Sequence, residues 1–110
     1  MKYLVAVYGN ACEAWRRETA WSRRYFETGE LLGAYDLADP VTARLVRREN
    51  GAPVVTDGPY LEAREHLVTF YLLDCENEER AHEIAADLPR ADTVPAEVWP
   101  ILHGSAADLV

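Results

Sequence analysis

Apolar residues recur along this chain in two periods, and the changes of period mark out its elements. Lys2 to Tyr8 (KYLVAVY) is apolar on both faces of an extended chain, which predicts a central strand ended by Gly9-Asn10. From Ala11 to Thr28 the period becomes helical. At about 100° per residue, Ala11, Ala14, Trp15, Trp21, Ser22, Tyr25 and Phe26 share one face, and Glu13, Arg16, Arg17, Arg23, Arg24 and Glu27 the other. Glu18 breaks the pattern by projecting near the middle of the apolar face. Gly29 is a fitting helix stop, because the residue past the last turn often needs a positive φ.

Glu30 to Leu37 (ELLGAYDL) predicts a second strand, and Asp39-Pro40 a turn. In TARLVRRENGAPVVT, the pair Asn50-Gly51 lies between Val- and Leu-containing runs, the pattern of a type I′ hairpin. His66 to Cys75 (HLVTFYLLDC) is again apolar on both faces and belongs in the sheet centre. Asn77 is placed to cap a second helix, with Glu78 and Glu79 in its favourable first turn and Ala81, Ile84, Ala85 and Leu88 on its apolar face. Ala96 to Leu102 (AEVWPIL) is the last strand, and Pro100 points to an edge or a strand-end position.

The order β-α-β-(hairpin)-β-α-β predicts an α+β sandwich of the ferredoxin-like type, with both helices on one face of an antiparallel sheet. The central strands are apolar on both faces, so the second face also needs cover. A chain of 110 residues has nothing left to supply it. A homodimer packed sheet face to sheet face is therefore expected. The length fits one domain, taken as residues 1–103 with a short tail at 104–110.

Composition narrows the function by exclusion. The formal net charge of −8 opposes binding to phosphate backbones, so no nucleic acid is expected as a partner. No apolar run approaches the roughly 18 residues of a membrane span, and the start has no signal-peptide pattern, so no membrane association and a cytoplasmic location are expected. Cys12 and Cys75 form no spacing motif, and His66, His82 and His103 are too scattered for a metal site. With no Gly-rich phosphate loop and no Gly-x-Ser-x-Gly elbow, no cofactor is expected.

The chemistry gathers around PVVTDGPYLEAREHL, Pro53 to Leu67, where Asp57-Gly58-Pro59 is followed by Tyr60, Glu62, Glu65 and His66. A turn aspartate commonly accepts hydrogen bonds from nearby amides and does nothing else. Held rigidly beside a pocket, the same carboxylate takes or orients a proton, and with His66 it would form a workable Asp–His unit. Glu18 is costly among Trp, Tyr and Phe side chains unless it meets a partner such as Arg44 or a cavity. Trp15, Trp21, Tyr25, Tyr35, Phe70 and Tyr71 read mainly as core, with Trp15 and Phe70 also suited to lining an aromatic pocket.

The opening MKYLVAVYGN, the tryptophans of the first helix, GELLGAYDL and above all GAPVVTDGPYLEAREHLVTFYLLD resemble the DGPF-domain branch of the YCII-related proteins, from Met1 to about Leu102. The resemblance implies a dimeric α+β barrel. YCII-type relatives include a dehydrochlorinase of a chlorinated, hydroxylated aromatic with a His–Asp pair as its proposed acid/base machinery. DGPF members often accompany extracytoplasmic-function sigma factors. Glu18 falls near the position of the YCII histidine, and Asp87-Leu88-Pro89 near that of an Asp-Pro. The expected activity is acid/base chemistry, without a cofactor, on a small aromatic or polyketide-like ligand. Asp57, His66 and Glu18 would be catalytic, and Tyr60, Arg44, Trp15 and Phe70 would bind substrate. The alternatives are a non-catalytic module linked to a sigma-factor pathway and, by analogy of fold, a cofactor-free monooxygenase.

Overall fold

The two strands with two-sided apolar patterns, β1 (Lys2–Gly9) and β5 (His66–Asp74), lie side by side in the middle of an antiparallel sheet. The computed structural model describes residues 1–9, 19–58, 66–89, 91 and 94–105. β2 (Leu31–Asp36) pairs with the free side of β5, and β6 (Ala96–Pro100) with that of β1, which gives the strand order β2-β5-β1-β6. The helices α1 (Thr19–Thr28) and α2 (Glu78–Ala86) follow β1 and β5. This is the ferredoxin-like α+β arrangement expected from the pattern. Pro100 closes the edge strand β6, where a missing amide costs no ladder bond.

One sheet face and both helices enclose the core. Tyr3 and Val5 of β1, Leu31 of β2, Tyr71 and Leu73 of β5, Trp21 and Tyr25 of α1, and Ala81, Ile84 and Ala85 of α2 are all buried there. Trp21 Nε1 donates to the Ile84 carbonyl at 3.0 Å, so the indole is satisfied while its ring packs on Tyr71 with centroids 4.6 Å apart. Asn77 caps α2 as expected, its side chain accepting from the Arg80 amide. Phe26 corrects the expected helix face. Trp21 and Tyr25 stand one turn apart on the buried stripe, whereas Phe26, about 100° further round, is 48% exposed. The first part of the predicted helix, at 11–18, lies outside the described residues.

β3 (Arg44–Glu49) and β4 (Ala52–Asp57) form a separate two-stranded sheet. Asn50 and Gly51 have φ of 49° and 79°, the two positive values a type I′ turn requires. The arm is rooted by a short 3-10 turn at Pro40–Thr42, capped by the Asp39 carboxylate, and by the Gly58 amide donating to the Ala43 carbonyl at 2.9 Å. No residue of either arm strand is buried.

Candidate functional site

Side chains alternate across a strand, so the neighbours of the core residues point the opposite way. On that second face Leu4 stands between Leu72 and Trp99, and Ala6 between Phe70 and Glu97. A bulge between Leu31 and Gly33 resets the register of β2, which puts Gly33 opposite Leu72 and Tyr35 opposite Phe70. Tyr35 stacks on Phe70 with centroids 5.0 Å apart and folds back over Gly33. A Cβ on Gly33 would meet that ring at 2.7 Å. The second face therefore carries an aromatic and aliphatic surface that neither described helix covers, although Ala6 in its middle is buried. Tyr35 is 48% and Trp99 54% exposed. Tyr35 and Phe70 were expected mainly in the core, but of that aromatic set only Trp21, Tyr25 and Tyr71 are buried there; Trp15 lies outside the described residues.

A hydrogen-bonded cluster sits on the same face. Glu97 Oε1 accepts from the Tyr8 hydroxyl at 2.7 Å and from Trp99 Nε1 at 3.2 Å. The hydrogen bond to Glu97, with burial and the adjacent negative charge, pushes the Tyr8 phenol above its ordinary value, so Tyr8 keeps its proton and donates. Among the described residues no donor reaches Glu97 Oε2, leaving a carboxylate oxygen held in place beside an indole and open to solvent. Toward the other end of the strands, Lys2, Leu32, Leu72, Ile101 and Ser105 line a groove of about 470 Å³. That volume and apolar character suit a small organic molecule.

The residues singled out in the sequence are more dispersed. Asp57 ends β4 on the arm; its side chain is 96% exposed, with a carboxylate oxygen 4.0 Å from Arg44 Nε. Arg44 itself braces the arm root, donating to the carbonyls of Val41 at 3.2 Å and Ala43 at 2.9 Å. His66 is half-buried at the start of β5, opposite Gly9, in a different sheet from Asp57. No hydrogen bond joins Asp57 to His66 among the described residues. Phe70 is the expected binding residue that the open face does include. Glu18, Tyr60 and Trp15 lie outside the described residues. Asp87, the weaker candidate, accepts from Arg24 at 2.7 Å and from the Tyr25 hydroxyl at 2.8 Å, which makes it a brace between the helices.

Tyr8, Glu97 and Trp99 were missed by the sequence reading. The available signal was the spacing of Glu97 and Trp99, two apart on an edge strand and hence on one face. Among the described residues, no group of three or more His, Cys, Asp and Glu side chains is arranged to hold a metal, and no helix is long and apolar enough to cross a membrane.

The YCII-related domain model matches residues 1–103. An uncharacterized protein of Rhizobium meliloti (strain 1021) is 33% identical over 114 aligned positions, which span 92% of each chain. This chain belongs to the YCII-related family.

Proposed function

We propose that this YCII-related protein binds a small hydroxylated aromatic molecule on the open face of its sheet and performs acid/base chemistry on it without a cofactor. The observation that carries the reading is Glu97: a carboxylate fixed by Tyr8 and Trp99 on an otherwise apolar, aromatic surface. A ligand hydroxyl donating to Oε2 while its ring lies among Trp99, Phe70 and Tyr35 would satisfy both parts of that surface. Glu97 is then the group that takes the proton, and Tyr8 the donor that steadies its charge. The motif Asp57-Gly58-Pro59-Tyr60 supports placing the chain in the DGPF branch.

A second copy closes the face in this reading. Burial of Leu4, Phe70, Leu72, Tyr35 and Trp99 against their counterparts removes apolar area from water and dries the site, which strengthens a hydrogen bond to Glu97. Sedimentation at micromolar concentration is expected to give the mass of two chains.

The test is a titration with a panel of phenols, followed through tryptophan fluorescence and the amide shift of Trp99, for the native protein and Glu97→Gln. Saturable binding that weakens by about tenfold or more in the variant is expected, as for loss of a hydrogen bond to a charged group. Equal binding by both proteins removes Glu97 from the site. If no phenol binds while a sigma factor is retained by the pure protein, the regulatory alternative takes its place.

A further inference from the structure

The β3–β4 arm has no role in the open-face site, yet it is built with care. Six residues on each strand span about 20 Å. A type I′ turn fixes the tip, and the root is held by the Gly58-to-Ala43 hydrogen bond. Gly58 could not be larger without disturbing that joint, since a Cβ would lie 3.0 Å from the Ala43 carbonyl oxygen. A lone two-stranded hairpin is marginally stable in water. This one nevertheless carries aliphatic side chains on both faces. Val46 and Val55, paired across the strands, are 62% and 59% exposed, and Leu45 and Val54 on the reverse face are only half-buried. The molecule is correspondingly long, with a radius of gyration of 16.0 Å against about 13 Å for a compact chain of this size.

Charge says what covers the arm. It carries Arg44, Arg47 and Arg48 against Glu49 and Asp57, so it is net positive on a chain whose overall charge is −8. The surface complementary to it is the acidic body of the same protein. Carboxylates are densest from Asp74 to Glu83, where Glu76 and Glu79 are exposed. That stretch begins at the Asp74 end of β5, whereas the segment leading into the arm root meets the other end, where the Leu37 amide donates to the Val68 carbonyl at 2.8 Å. A two-fold axis crossing the strands brings one chain's root over the acidic end of its partner.

We propose that the arm clasps a second copy of this chain, with Val46 and Val55 against its surface and Arg48, on the same face of the arm, toward its acidic helix end. The proposal rests on the reading above only in taking the partner to be a second copy. The dissociation constant of the dimer, measured by sedimentation, is expected to rise roughly tenfold or more in Arg48→Glu, whose exposed site leaves the fold intact. A photo-cross-linker at Val46 in a mixture of isotopically light and heavy chains is expected to yield light–heavy products. Arm variants that dimerise as the native protein does, with cross-links only within a chain, overturn the clasp. If Leu72→Asp breaks that dimer, the face-to-face reading survives without it. Cross-links between chains in a dimer indifferent to Leu72→Asp keep the clasp and remove the face contact. A native protein sedimenting as one chain overturns both.

Discussion

Glu30 shows how one side chain ties sheet to helix. It immediately precedes β2, and both its oxygens are taken by Arg80 of α2, at 2.8 Å from Nε and 2.9 Å from Nη2. This two-pronged pairing suits the planar guanidinium, and the Glu30 side chain is only 19% exposed. The hydrogen bonds from Arg80 outweigh burial and hold the Glu30 carboxyl below its ordinary value of 4.5. A carboxyl depressed in the folded state contributes stability that is fully present above the unfolded value and lost as pH falls through the folded one. The urea midpoint is therefore expected to drop as pH is lowered from about 5 to about 3. Glu30→Gln should flatten part of that slope. A variant with the native slope would show that the protons are taken up elsewhere. Gly33 acts at the same scale by absence: a bare Cα lets Tyr35 fold over it and face Phe70.

At the scale of elements, α2 depends on its cap. The Asn77 side chain meets the Arg80 amide at 2.9 Å, and Glu78 and Glu79 complement the helix N-terminus. Asn77→Ala is expected to cost about 1 kcal/mol, read as a thermal midpoint lowered by several degrees. An unchanged midpoint would show that neighbouring groups or water replace the cap. This element was legible in the sequence because capping and helical spacing are local. The hairpin was legible for the same reason, through Asn50-Gly51. The open-face cluster was not: Tyr8 and Glu97 are 89 positions apart and meet only through the β1–β6 register. Nor could the pattern separate the two faces of β5, since Tyr71 and Phe70 are equally apolar and only the helices decide which is buried. The two bulges, between Val7 and Tyr8 and between Leu31 and Gly33, add register shifts that alternation alone does not contain. Asp57 drew attention as a rigid turn, and the turn is there; its carboxylate faces water at the foot of an arm.

For the whole molecule, the decisive fact is a sheet whose second face the described helices leave open. The buried side holds Tyr3, Val5, Leu73 and Ile84, each with at most 1% exposure, while the other presents Leu32, Tyr35, Trp99 and Ile101 at the surface. A small domain has little stability to spare, and a pairing that buries this face adds to it by mass action. Each tenfold rise in concentration then stabilises the paired state by about 1.4 kcal/mol, or roughly 3–5 °C in midpoint for two chains unfolding together. Calorimetry over a hundredfold range should show that climb. Leu72→Asp, which places a charge in the middle of the face, should lower the midpoint and abolish its concentration dependence. A native midpoint that stays fixed across the range would mean that the apolar face is stable in water as it stands, and that its exposure serves a ligand alone.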